Sequence, residues 1–251
     1  MNTTLTGLVV FGCLVGAVLV GRIIRRLLPE HHLASDSKDG IKLALGLVST
    51  MSALVLGLLV SSAKSSYDAE RGEVIQMAAK VAFADRVLAM YGPDAVDLRT
   101  RFHEGVKEAI KGIWPEEAGL SSHMAQNTQT GNALYVAVQN LSPRDETQRK
   151  LKDEAASLAT DLVQLRSLLQ AQSVPSISKP MLIILVSWLV IIFLGFSVLA
   201  PSNPTVIFAF IISAIAVSGA IFLILELDEP FGGVLQISSE PLVHALDQPG
   251  K

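Results

Sequence analysis

Four stretches of this chain are too apolar to lie against water. Leu5 to Gly21, Met181 to Leu199 and Thr205 to Leu225 contain no Asp, Glu, Lys, Arg or His, and Ile41 to Ala63 contains only Lys42. Each is about 20 residues, and a helix rising about 1.5 Å per residue over that length matches a hydrocarbon core of about 30 Å. Backbone amides in lipid must be paired within the segment, so such stretches are helices. The fold class that follows is an all-α polytopic membrane protein with four transmembrane helices, at 5–26, 41–63, 181–200 and 205–225. A helical extramembrane domain fills 64–179, and 226–251 form a C-terminal tail. Lys42 sits close enough to the membrane edge for its ammonium to reach the interface.

The first apolar run is not read as a cleaved leader. No Lys or Arg precedes it, Arg22, Arg25 and Arg26 follow it, and no small-x-small cleavage site comes after it. Val10-Phe11-Gly12-Cys13 is a poor lipoprotein box because of its bulky Phe11, so Cys13 is expected to be a buried thiol. It is the single cysteine, which excludes an intramolecular disulfide.

Between the second and third spans, Lys64 to Lys179 holds 14 Lys and Arg against 15 Asp and Glu. Its punctuation predicts helices from Ser65 to Tyr91, closed by Gly92-Pro93, and from Asp94 to Trp114, closed by Pro115. A loose segment to about Thr130, a short helix to Leu141 and a last long helix follow. Ser142 reads as the N-cap of that last helix, with Pro143 at its first position. Leu151, Ala155, Leu158, Leu162, Leu165 and Leu169 then form an a/d seam, the pattern of one contact in an antiparallel bundle. Pro175 and Pro180 stop the helix before the third span. With no proline between Pro29 and Pro93, the second span can continue into the first soluble helix as one rod, about 75 Å long if helical from Ile41 to Tyr91.

Positive charge does not choose an orientation. Arg22, Arg25, Arg26, Lys38 and Lys42 fall on one side, and Lys64, Arg71, Lys80, Arg166 and Lys179 on the other. The clustered arginines of the first span favour the cytoplasm for their side, which would put both termini and the helical domain outside.

Candidate functional residues are few. In the second span Gly46, Thr50, Ala53, Gly57 and Ser61 recur every three or four residues and make one small, weakly polar helix face. Such a face suits close helix packing, or the border of a narrow pore in a ring of subunits. Gly12 and Gly16 in the first span and Ala209, Ser213, Ala216 and Ala220 in the fourth read as packing strips. Glu226, Asp228 and Glu229 close the fourth span before the turn Pro230-Phe231-Gly232-Gly233. Around an oligomer these carboxylates would gather small cations; in one subunit they are a solvated helix end or partners for the first span's arginines. His31 and His32 beside Glu30 point about 100° apart on a helix and read as surface residues. Asp36 and Asp39 suit the positive end of the second span's helix dipole. Asp85 and Arg86 are adjacent, so each must find its partner on another helix.

No P-loop, dinucleotide fingerprint, zinc-binding histidine pair or nucleophile elbow occurs, so no catalytic residue, metal site or cofactor is expected, and the chain is not read as an enzyme. Near-neutral charge, net -3, argues against nucleic acid as a partner.

Several blocks together carry a resemblance: Pro29-Glu30-His31-His32-Leu33, Ser35-Asp36-Ser37-Lys38-Asp39, and Ala53 to Leu59 running into Ser62-Ala63-Lys64-Ser65-Ser66-Tyr67-Asp68. Asp85-Arg86-Val87-Leu88 with Tyr91-Gly92-Pro93, Ile113-Trp114-Pro115, and Glu226-Leu227-Asp228-Glu229-Pro230-Phe231-Gly232-Gly233 complete it. With these the chain resembles the bestrophin-like bacterial membrane family, a domain of unknown function, and more distantly the bestrophin ion channels. The resemblance implies a homo-oligomer in the bacterial inner membrane, a pentamer as in bestrophins, with the second span lining a pore for small ions and the helical domain in the cytoplasm. That side is opposite to the one the arginines favour. No bestrophin pore or calcium-clasp motif is present to carry over residue by residue. Two functions follow as expectations: an ion channel, or a non-conducting membrane-anchored scaffold or sensor whose helical domain binds a partner.

Overall fold

The computed structural model describes residues 3–29, 35–114, 128–172, 179–201 and 203–247. Among them the secondary structure is helical, with no strand. In chain order α1 is Thr3–Leu27, α2 Ser35–Tyr91, α3 Val96–Ile113, α4 Thr128–Gln139, α5 Glu146–Gln172, α6 Lys179–Leu199, α7 Pro204–Leu227 and α8 Glu240–Asp247, with a 3-10 turn Pro93–Ala95 before α3. Helices α1, α2, α6 and α7 are long and apolar enough to cross a membrane. The chain forms two compact units, residues 1–66 with 175–228 and residues 67–174 with 229–251. Helix α2 is unbroken and contributes to both.

In the membrane unit, α1 packs against α6 and α7. The face it buries, Gly7, Val10, Leu14, Ala17, Val18 and Gly21, recurs every three or four residues. Near the C-terminal ends of both helices, α1 meets α6 so closely that a Cβ on Gly21 would lie 2.7 Å from the Leu194 carbonyl oxygen and 2.9 Å from Ser197 Cβ. The approach lets Ser197 Oγ donate to the Val18 carbonyl at 2.7 Å. Small residues and hydroxyl-to-carbonyl bonds of this kind hold helices together in lipid, where apolar burial gives little drive. Helix α7 runs antiparallel to α1: Gly7 faces Phe222, and the Thr3 hydroxyl donates to Glu226 Oε1. At the other end Arg25 Nη1 donates to the carbonyls of Val198 and Ala200, where α6 leaves its last acceptors unpaired. Helix α2 touches this group through Leu45, whose methyls pack over Gly195.

The small-residue strips on α1 and α7 do not make these contacts. A Cβ on Gly12 or Gly16 would meet nothing within 4 Å. Ala209, Ser213 and Ala216 are exposed, while α7 buries Ala214, Ser218 and Ile221 instead. Cys13 is also exposed rather than buried, because it follows Gly12 on the side of α1 turned from α6 and α7.

The second unit has a core of its own, built from Val74, Val81 and Val87 of α2, Phe102 of α3, Val138 of α4 and the α5 seam. Ala155, Leu158, Leu165 and Leu169 of that seam are buried, and Leu151 and Leu162 pack against them. Gly92 ends α2 at φ 101°, a conformation that residues with a Cβ seldom adopt, and Pro93 starts the 3-10 turn. The N-cap of α5 is Asp145, not Ser142: Asp145 Oδ1 accepts from the Gln148 amide at 2.7 Å, and Gln148 Oε1 accepts from the Arg144 amide at 2.8 Å. A carboxylate at that position satisfies an orphan amide and faces the positive end of the dipole, which outweighs the serine three residues earlier. Pro180 lies in the first turn of α6, where its missing N–H costs nothing, and so opens that helix rather than closing the one before it. Pro175 and the histidine pair His31 and His32 lie outside the described residues.

The C-terminal stretch, for which the sequence predicts only a tail, packs onto this second core. Trp114 is buried, its Nε1 donates to the Ile237 carbonyl at 2.6 Å, and its ring meets Phe231 edge-on with centroids 5.5 Å apart. The expected turn is present: the Gly232 amide donates to the Glu229 carbonyl, and Gly233 has φ 74°. Leu242, Ala245 and Leu246 of α8 are buried in the same cluster.

The Gly21 approach makes a specific stability prediction. Gly21→Leu will destabilise the membrane unit by about 1–3 kcal/mol through overpacking, whereas Gly12→Leu will leave the folding of the single chain unchanged. Thermal unfolding in a mild detergent measures both, and equal melting temperatures would refute this account of the α1–α6 contact.

Candidate functional site

In the membrane unit α2 buries Leu45, Ser52, Leu59 and Ala63, spaced by seven, seven and four residues. The small-residue row lies elsewhere on the helix. At about 100° per residue, the mean direction of Gly46, Thr50, Ala53, Gly57 and Ser61 falls roughly 135° from the buried row. Thr50, Ala53, Gly57 and Ser61 are exposed, and a Cβ on Gly46 or Gly57 would meet nothing within 4 Å. Beside this row runs an exposed row of large side chains, Leu43, Leu47, Leu54 and Leu58. One helix therefore presents two open faces, one bulky and suited to acyl chains, the other small.

The hydroxyls of Ser49, Thr50 and Ser52 are paired with their own helix. Thr50 Oγ1 donates to the Gly46 carbonyl at 3.0 Å, Ser49 Oγ to Leu45 at 2.8 Å and Ser52 Oγ to Val48 at 2.9 Å. This back-bonding lets a hydroxyl sit at membrane depth without an unpaired donor, while its oxygen retains a lone pair for a passing cation or water. Near the start of α2, Lys42 Nζ pairs with Asp39 Oδ1 at 2.9 Å, in the first turns where a carboxylate also complements the dipole.

The three carboxylates that close the fourth span differ in their surroundings. Glu226 is 1% exposed and accepts the Thr3 hydroxyl; Asp228 is half-buried at the C-cap of α7; Glu229 is exposed. Glu226 is thus no solvated helix end. Thr3 brings Glu226 to the start of α1, whereas Arg25, near the other end of that helix, reaches the end of α6. Among the described residues no three His, Cys, Asp or Glu converge on a possible metal position.

In the second unit the adjacent residues Asp85 and Arg86 part company. Asp85, 2% exposed, is held by α3: Arg99 Nε reaches Oδ1 at 2.6 Å, Arg99 Nη2 reaches Oδ2 at 2.7 Å, and His103 Nε2 lies 2.6 Å from Oδ1. Arg86 is exposed on the other side of α2. Burial pushes the Asp85 carboxyl up, but the hydrogen bonds and charges of Arg99 and His103 outweigh it and hold the carboxyl below its ordinary range. The same pairing raises the Arg99 guanidinium. Sequence reasoning singled out Asp85 and missed both partners, although Arg99 and His103 stand four residues apart and so share one face of α3. Lys80 with Asp161 joins α2 to α5 in a second cross-helix pair.

A single family model, the Bestrophin-like domain, matches residues 12–242, a stretch that takes in most of the four apolar helices and of the helical unit. The chain belongs to the Bestrophin-like family. No curated protein and no solved structure matches it. Family and spans together make this bestrophin-like chain an integral membrane protein.

The Asp85 triad makes the helical unit sensitive to acid. A carboxyl whose folded-state pKa is depressed contributes stability that is complete above its unfolded value and is lost as pH falls through the folded value. The contribution of Asp85 will therefore fade below about pH 4. Asp85→Asn will cost about 3–5 kcal/mol at neutral pH by leaving Arg99 without its counter-charge, and will remove this part of the acid dependence. Melting curves of both proteins at pH 7 and in the acid range check it; a variant as stable as the parent at pH 7 contradicts it.

Proposed function

We propose that this bestrophin-like protein is an ion-conducting pore made of several copies of the chain, five by likeness to bestrophins, with the small face of α2 turned towards the axis. The observation that carries the reading is the open row Gly46, Thr50, Ala53, Gly57 and Ser61, in which a Cβ on Gly46 or Gly57 would meet nothing within 4 Å of the described residues, beside a leucine row suited to lipid. A face of this kind gains little against acyl chains, because it offers few atoms for van der Waals contact. Around an axis it keeps a path open, and its hydroxyl oxygens can stand in for part of an ion's water shell. The strips of α1 and α7, open within the chain, supply close-approach surfaces for neighbouring copies. The helical domain then gates the pore through α2, and the protein performs no covalent chemistry.

Purified protein in planar bilayers tests this. Unitary currents are expected, and Gly57→Leu will reduce them severalfold or abolish them, while Gly12→Leu on α1 will not; Gly57 has room for the larger side chain in the single chain, so misfolding does not confound the result. A robust current indifferent to Gly57→Leu removes α2 from the pore. An assembled oligomer that stays silent favours the non-conducting scaffold or sensor.

A further inference from the structure

The helical unit carries a half-open cavity of about 460 Å³ between α2, α3, α4 and α5, within the size range of small-molecule sites. Its depth is apolar and well shielded, formed by Met77 and Val81 of α2, Leu98 and Phe102 of α3 and Ala159 of α5, all buried. Its mouth is charged, with both signs present. Arg101, Glu104 and Glu108 project from one face of α3, and the half-buried Arg166 projects from α5. Of these, Arg101 pairs with the exposed Asp97 at 2.9 Å, a contact that solvent screens to little value. Arg166 has no carboxylate partner among the described residues.

A hydrocarbon interior behind a mouth of mixed charge has a definite complement. A fatty acid would place its carboxylate near two glutamates as well as two arginines, and a neutral lipid would leave all four charges unused. A single-chain amphiphile with a zwitterionic head meets each requirement: its tail replaces water against Met77 and Phe102, its phosphate faces the arginines, and its ammonium faces the glutamates. We propose that the helical domain binds a lysophospholipid-type zwitterionic amphiphile in this cavity. The proposal stands on the second unit alone and does not depend on whether the spans conduct.

The test uses the full-length protein in lipid nanodiscs with a lysophosphatidylcholine that carries a diazirine in its acyl chain. After irradiation and peptide mass spectrometry, adducts are expected on the segments containing Met77, Val81 and Phe102, at least tenfold reduced in Ala137→Trp, which fills the cavity. Because that variant can fail for lack of folding, Arg166→Glu serves as a second one. It leaves the cavity intact and should weaken competition by unlabelled lysophosphatidylcholine about tenfold. Adducts confined to the membrane spans, or undiminished by both variants, overturn the proposal. So does oleate or monoolein competing as well as the zwitterion, since the mouth would then not be reading the head group.

Discussion

The membrane unit turns on how closely α1 can approach α6. At Gly21 the two backbones come so near that no side chain fits, and the space saved brings Ser197 within bonding distance of the Val18 carbonyl. Water is absent from such a contact, so apolar burial supplies little of the force, and shape and hydrogen bonding supply most of it. Polar clamps then hold α1 at its two ends, the Thr3 hydroxyl on Glu226 of α7 and the Arg25 guanidinium on the last carbonyls of α6. Between them the contact is small or apolar apart from the Ser197 hydroxyl, and an unpaired polar group there would have no solvent to satisfy it.

This use of small residues explains which of them remain for other purposes. Gly7, Ala17 and Gly21 are consumed by contacts within the chain, whereas Gly12, Gly16, the α2 row and the outer strip of α7 are not. A glycine in a lipid-facing helix offers acyl chains fewer atoms than a leucine would, so its recurrence on an open face is most economical where a second helix or a lumen takes the place of lipid. Within the α2 row the Thr50 hydroxyl is satisfied by its own backbone and needs no partner to be tolerated at membrane depth.

The helical unit is organised differently, by ordinary aqueous rules. It has a contiguous apolar core, and the buried carboxylate of Asp85 is compensated by a bidentate guanidinium and an imidazole. It also has a C-terminal segment that completes it, through the hydrogen bond and ring contact of Trp114. The chain thus returns from the fourth span to finish the domain it began in the second helix.

Much of this was legible from the residues alone, and the reason is periodicity. Runs of membrane length with at most one charge specify four spans because lipid permits nothing else, and Ala155, Leu158, Leu165 and Leu169 announce their burial by their spacing. A bare spacing is silent about partners. Gly12 and Gly16 looked like a contact and Gly21 did not, yet Gly21 is where the helices meet, because the choice among equally small faces is made by the helix on the other side. Asp85 was conspicuous without Arg99 and His103, which lie on a neighbouring helix whose rotation no local pattern specifies. Glu226 read as a solvated end until α1 covered it. The sequence by itself determined how many helices cross lipid and which residues turn inward in the soluble bundle, since both follow from one-dimensional hydropathy. Which small face is spent inside the chain, and which charge is buried against which, was decided only by tertiary structure, because those depend on distances between helices far apart in the sequence.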